Sequence, residues 1–292
     1  MKSNPPPTPI RLITHNIRYA TSHPFPGELP WTDRKQLIIN SLYFHTLHSP
    51  ESFICLQEVL HSQLLQILVC LNQLSSGEWK YIGVGRDDGQ EAGEYCPIIY
   101  CADAWKLVTW RTIWLSQTPD RPSKGWDAAS IRIMTLGVWR HWKSDRRVMG
   151  CNTHLDDQGE WARTAGAKLI VETIQDYMSG MSAEDPLPVF LGGDLNSGRS
   201  GHAYRVLTGQ GSPLRDARGL AAVQYGEKNT FTGFNRETRP AEIDHLFVGP
   251  NKYAFWQVRA YAVLPNRFED GVYSSDHRPV VVETIVGNLN CP

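Results

Sequence analysis

At six places in this sequence, side chains able to ligate, donate or move a proton sit at the ends of apolar runs or just inside them. They are Asn16, Gln57-Glu58, Asn152 with His154, Asp194 with Asn196, Asp244, and Asp276-His277. The clearest case is Val189-Phe190-Leu191-Gly192-Gly193-Asp194-Leu195-Asn196. Bounded by Pro186 and Pro188 before it and Gly198 and Gly201 after it, the run reads as a fully buried strand. Side chains i and i+2 leaving a strand point the same way, so Asp194 and Asn196 project together from the rim of a sheet. Singly, each place has an ordinary structural explanation. Asp-x-Asn after a strand makes an Asx turn, Glu58 suits the first turn of a following helix, and a lone histidine is often structural. Asp244 resists such an account, because a carboxylate inside an apolar strand needs a histidine, a metal or another donor beside it. Together the six supply a recognisable chemistry. A hard divalent cation takes oxygen ligands, and attack of water on a phosphate needs that cation, a base, and donors around the phosphoryl oxygens.

Pattern and turn signals predict the elements that must carry these groups. Strands are expected at Ile10–Ile17, Phe53–Leu56, Trp79–Val84, Cys96–Tyr100 and Trp105–Leu115. A hairpin of Ala129–Trp142 and Arg147–Asn152 turns at Lys143-Ser144-Asp145, and Glu242–Val248, Phe255–Val263 and Pro279–Val286 close the chain. Helices are expected from a Thr32 or Asp33 cap to about Leu47, with Leu37, Ile38, Ser41 and Leu42 inward. Others follow along Leu60–Leu74, from Gly159 to Tyr177, and over His202–Leu207. Strict βαβ alternation fails in the middle, which disfavours a barrel or a doubly wound sheet. The pattern fits an α/β (α+β) fold, a four-layered sandwich of two packed, mostly antiparallel sheets flanked by helices, in which strand ends of both sheets meet at one rim.

The chain has 292 residues, 41% of them hydrophobic, and a formal net charge of −1. No linker, charge block or repeat divides it, so residues 1–292 read as a single domain with 1–9 as a flexible tail. The absence of a global basic field argues against an indiscriminate duplex binder. The proline-rich start lacks the apolar core of a signal peptide, and no apolar run approaches membrane-spanning length. None of the six cysteines forms a CxxC pair, so they read as reduced thiols of a cytoplasmic protein rather than as a zinc site.

The ordered blocks Thr14-His15-Asn16-Ile17-Arg18, Leu56-Gln57-Glu58-Val59, Asn152-Thr153-His154-Leu155, Gly193-Asp194-Leu195-Asn196, Ile243-Asp244-His245 and Ser275-Asp276-His277-Arg278-Pro279 resemble the endonuclease/exonuclease/phosphatase superfamily. The resemblance runs from about Ile10 to Glu283. It implies the deoxyribonuclease I-like two-sheet sandwich and a Mg²⁺ or Mn²⁺ site. It further implies that Glu58 is the principal metal ligand, with Asn16 and Asp276 close to the metal or its waters. Asp194 would orient or deprotonate the attacking water, and Asn196 and Asn152 would bind phosphoryl oxygens. His154 and His277 would contact the scissile phosphate and handle protons, and Asp244 would brace one of them.

Thr112-Ile113-Trp114-Leu115-Ser116, Gly93-Glu94-Tyr95-Cys96-Pro97-Ile98 and Gly125-Trp126-Asp127-Ala128-Ala129-Ser130-Ile131-Arg132 resemble a branch of small members nearer the deadenylase side. Trp126 and Tyr95 are candidates for a cleft wall, and Arg86 or Arg132 for a phosphate contact. Packing is the competing explanation for both aromatics in a chain with ten tryptophans. The reading that results is a divalent-metal-dependent phosphoester hydrolase acting on a small phosphorylated compound or nucleotide, with no membrane partner. A nuclease or deadenylase on short single-stranded nucleic acid, and an inactive binding domain of the same fold, are the alternatives.

Overall fold

A computed structural model describes residues 6–180, 187–235, 237–250 and 255–287. In chain order the elements are β1 (Thr8–Asn16), α1 (Trp31–Thr46), β2 (Phe53–Gln57), α2 (His61–Leu74), β3 (Trp79–Ile82), β4 (Ile98–Cys101), β5 (Trp105–Trp114), β6 (Ile133–His141), β7 (Arg147–His154), α3 (Glu160–Ser179), β8 (Val189–Asp194), α4 (His202–Thr208), β9 (Arg215–Asp216), α5 (Ala217–Leu220), β10 (Val223–Gly226), β11 (Asp244–Gly249), β12 (Trp256–Val263) and β13 (Val280–Val286). They build a seven-stranded sheet ordered β10-β12-β13-β1-β2-β4-β3 and a six-stranded sheet ordered β5-β6-β7-β8-β11-β9. Each sheet is antiparallel except for the pairs β1/β2 and β10/β12 in the first and β7/β8 in the second.

The sheets pack face to face through large side chains. Phe53 of β2 lies 4.9 Å, centroid to centroid, from both Trp105 and Trp139, and 5.0 Å from Phe190 of β8. Ile38, Ile39 and Leu42 of α1, with Leu64, Ile67 and Leu71 of α2, extend this core across the seven-stranded sheet. Ala167, Ile170 and Ile174 of α3 and Leu207 of α4 cover the other sheet. The result is the helix-sheet-sheet-helix layering expected. Near the rim the sheets converge, and Gly192 makes that possible: a Cβ there would lie 3.0 Å from Cys55 Cβ on the opposite sheet.

Several local expectations are corrected. α1 starts at Trp31 behind Pro30, so neither Thr32 nor Asp33 caps it. Proline suits the position, since the first turn has no N–H partners to lose. Its inward face holds fully buried Arg34, while Leu37 and Ser41 are only half-buried. β6 begins at Ile133, because the backbone at Ala129 and Ser130 is held instead by the Asp156 carboxylate. Thr8 and Pro9 already belong to β1, paired with β13, and of the expected tail residues 1–5 lie outside the described ones. The two-residue β9, the four-residue α5 and β10 were not anticipated, being too short to show a period. Five described cysteines are free thiols, and Cys291 lies outside the described residues. Among the described residues no helix is long and apolar enough to cross a membrane.

Candidate active site

Strand register brings the polar residues together. In the six-stranded sheet His154 pairs with Asp194 across β7/β8, and Asp194 pairs with Asp244 across β8/β11. Side chains directly opposite on neighbouring strands leave the same face about 5 Å apart, so the three form a row at the rim. In the other sheet Asn16 pairs with Gln57. Three residues just beyond strand ends, Arg18, Glu58 and Asn196, have φ of 58°, 56° and 46°. That left-handed conformation is costly for residues with a Cβ. Here it stops each strand and turns the side chain back over the rim.

Asp194 is the hub of the row. Asn16, reaching across from β1, donates its Nδ2 to Asp194 Oδ2 at 3.0 Å and to Glu58 Oε1 at 2.9 Å. Asp194 Oδ1 accepts the Asn196 backbone N–H at 2.8 Å. His154 Nε2 and His277 Nε2 lie 3.5 Å and 3.7 Å from Asp194 Oδ2. Burial, and then the neighbouring Asp244, push the Asp194 carboxyl up to about 7 against the pull of His277 and Asn16.

The two histidines differ in what stands behind them. His277 Nδ1 meets Asp244 Oδ2 at 2.8 Å, which identifies the histidine that Asp244 braces. Burial opposes charge on His277, but Asp244 and Asp194 outweigh it and hold the ring's pKa well above its ordinary value. His154 Nε2 is 3.1 Å from Asn196 Nδ2 and so accepts from it. Burial, then Arg132, Arg86 and His277, hold the His154 pKa well below the ordinary value. At neutral pH one ring is a cation and the other a neutral acceptor.

Acid outweighs base around this row. Glu28, Glu58, Asp194, Asp244 and Asp276 are five carboxylates facing three cations, Arg18, Arg34 and His277. Burial, and the nearby Glu58, raise Asp276 to about 6 although His277 and Arg18 oppose the shift. Asp244 Oδ1 is buried with no hydrogen-bond partner. An excess of two carboxyl groups over cations, with a spare carboxylate oxygen, is an environment whose acids a divalent cation would hold ionised. Oxygen-rich and without thiolate, the set suits a hard ion. Asp194, Asp244 and His277 each offer an atom within 4.8 Å of the others. His277 Nδ1 and Asp244 Oδ2 are hydrogen-bonded to each other and Asn16 Oδ1 accepts the Arg18 backbone N–H at 3.0 Å, so the Glu58 and Asp276 carboxylates are the oxygens that could hold an ion.

Other candidates are placed elsewhere. Asn152 was expected to bind phosphoryl oxygens, yet it is fully buried between the sheets. Its Nδ2 donates to the carbonyls of Leu56 and Pro97 at 2.7 Å each, and its Oδ1 accepts from Gln57 at 2.7 Å. No donor is left for a substrate. Tyr95 is 2% exposed, with its hydroxyl donating to the Gln90 carbonyl and bonded to His61, and it lines a cavity with Ile82 and Trp110. Arg132 is tied to Asp156 and Asp157. Arg86 forms a two-pronged pair with Glu94, both contacts 2.8 Å. Neither guanidinium therefore faces a substrate unaccompanied. Trp126, half-buried with φ 52°, precedes Asp127, whose carboxylate accepts the Ala162 N–H in the first turn of α3. The Glu28 bridge from Arg18 to Arg34, and the proximity of Glu94 to His154, escaped sequence reasoning. For Glu94 the one available signal was its place in the Gly93-Glu94-Tyr95 pattern.

Comparison with known proteins gives an independent measure. No family model matches the sequence. The endonuclease/exonuclease/phosphatase from Bacteroides vulgatus is 31% identical, with a TM-score of 0.82 covering 96% of this chain and 99% of that one. A mannosyl-6-phosphatase of Bacteroides thetaiotaomicron is 29% identical, with a TM-score of 0.79 covering 94% and 99%. An uncharacterised calcium-binding protein of Arabidopsis thaliana is 27% identical over 186 residues, 62% of this chain. This chain spans 36% of the length of that curated relative.

Proposed function

Since the chain belongs to the endonuclease/exonuclease/phosphatase family, we propose that it is a divalent-metal-dependent hydrolase of small phosphoesters. The observation that carries the proposal is Asp194. It is a buried carboxylate at the junction of two sheets, touched by an amide donor and flanked by one charged and one neutral imidazole. Glu58 and Asp276 would hold the cation, with the Asn16 amide joining Glu58 to Asp194. When bound, the cation supplies charge neutralisation at the phosphate and a polarised water. Asp194, with a pKa near working pH, would orient an attacking water and accept its proton. His277, kept charged by Asp244, donates toward the scissile phosphate. Neutral His154 stands on the other side of Asp194, held by the Asn196 amide, which also donates to the Leu155 carbonyl at 3.0 Å.

A small substrate is favoured over a polymer. The net charge of −1 offers no field for a long polyanion, and Arg86 and Arg132 are paired internally. The name of the 29%-identical mannosyl-6-phosphatase supports a sugar phosphate or similar monoester. Free cysteines support a reducing, cytoplasmic setting for Mg²⁺ or Mn²⁺ chemistry. The test is a screen of phosphomonoesters, phosphodiesters and short oligonucleotides with each metal and with EDTA. Turnover of sugar or nucleotide phosphates that EDTA abolishes is expected. Cleavage confined to oligonucleotides overturns the substrate class, and activity indifferent to EDTA overturns the metal.

A further inference from the structure

Resting on that reading, we propose that Arg163 is a specificity-determining residue that binds a second anionic group of the substrate, a phosphate or a carboxylate, in a cavity next to the Asp194 row. The cavity measures about 200 Å³ and lies between the first turn of α3 and the loop that leads from β8 into α4. Arg163, Asn196, Ser197 and Ser200 line it, with the mostly exposed Glu160 and His202 on its outer side. Asn196 is the shared wall, for it lines the cavity and also donates its Nδ2 to His154 Nε2 at 3.1 Å. The width of one side chain therefore separates the cavity from the acids and imidazoles of the row. The corner is built around a glycine, since a Cβ at Gly201 would lie 2.1 Å from Ser197 Oγ.

Arg163 is out of balance with its surroundings. Around the site Arg18, Arg34, Arg86, Arg132 and Arg199 each pair with a carboxylate. Arg163 has no such partner among the described residues. Its Nη1 donates to the Asp156 carbonyl at 2.9 Å, while its Nε and Nη2 are neither bonded nor buried. The acid on the cavity wall, Glu160, is engaged with His202 Nδ1 at 2.6 Å. Nor does α3 gain from the charge, because Arg163 closes its first turn, where the positive end of the helix dipole disfavours a cation. A guanidinium without a counter-charge, facing a polar cavity, presents a planar fork that matches two oxygens of a carboxylate or phosphate. A substrate with its scissile phosphate at Asp194 then places a second acidic group on Arg163, past Asn196.

The competing account is that Arg163 only latches the Asp156 carbonyl to hold the loop before α3. Three compounds that differ at one end separate the two: glucose 6-phosphate, glucose 1,6-bisphosphate and 6-phosphogluconate, each offered in Mg²⁺ to the wild type, Arg163→Gln and Arg163→Lys. We expect the wild type to prefer one of the two doubly acidic compounds, and the preferred one tells phosphate from carboxylate. The ratio of its kcat/KM to that of glucose 6-phosphate should fall about 10–100-fold in Arg163→Gln, and less in Arg163→Lys, which keeps the charge but not the fork. A loosened loop lowers all three rates together and leaves the ratio where it was. An unchanged ratio in Arg163→Gln, or a wild type without a preference, therefore overturns the proposal. If none of the three is turned over, the hydrolase reading falls for sugar phosphates, and the same ratio taken from calorimetric affinities of the Mg²⁺-loaded wild type and Arg163→Gln still decides the Arg163 contact.

Discussion

His277 and His154 stand on either side of the same carboxylate, each buried and each within 4 Å of Asp194 Oδ2, yet one is a cation and the other neutral. Behind His277 lies Asp244 at 2.8 Å; behind His154 lie two guanidinium groups, with Glu94 no nearer than 3.9 Å. Burial pushes both rings toward neutrality, so the outcome depends on which ring has a carboxylate in hydrogen-bond contact. One hub flanked by a donor and an acceptor is the asymmetry that general acid–base work requires.

The comparison breaks most completely at the hub. Asp194→Ala should reduce turnover by about 10³-fold or more, measured as kcat/KM on the best substrate from the screen. Full activity in that variant would falsify the assignment of Asp194. Next in size is Asp244→Asn, which removes the charge behind His277. Turnover should fall by about 10²-fold, and the His277 ring, followed by NMR, should titrate at lower pH while His154 is unchanged.

A third test uses the acids themselves. Asp194 and Asp276 have pKa values raised to about 7 and about 6, so the fold favours their protonated forms. Without metal, the stability they contribute is full at pH values below their ordinary range and is lost as pH rises through 6–7. The melting temperature of the metal-free protein, taken relative to that of the Asp194→Asn, Asp276→Asn double variant, should therefore fall between pH 5 and pH 8. Added Mn²⁺ competes with those protons, so its stabilising shift should be larger at pH 8 than at pH 5.5; an equal shift at both would argue that the cation binds elsewhere. The smallest expected effect is Asn152→Ala. It strips partners from the Leu56 and Pro97 carbonyls and from Gln57, at a cost of about 1–3 kcal/mol in stability by denaturant unfolding. Metal affinity should stay within about twofold, since Asn152 ties the sheets together and does not face the site.

Much of the site was legible because each strand announces itself locally. An apolar run ending in Asp194 or Glu58 is a pattern within ten residues, and alternation across the chain was enough for a two-sheet sandwich. Misreadings fell where a side chain's partner lies far along the chain. Asn152 shares its block with His154 and looks alike in sequence. Two residues apart on one strand, the first is capped by backbone 55 and 96 residues away, whereas the second reaches the rim. Arg86 and Arg132 look like free cations until Glu94, Asp156 and Asp157 are placed against them.

The sequence by itself determined which residue types are present, that apolar strands deliver them to their ends, and hence the class of chemistry and the layered fold. Tertiary structure alone decided the pairings: that Asp244 braces His277 and not His154, that Asn152 serves the interior, and that Asp194 is the shared carboxylate. The reason is physical. Burial and periodicity are properties of short segments, while a side chain's charge and hydrogen-bond state depend on groups within about 4 Å, which register and sheet packing bring from up to 274 residues away.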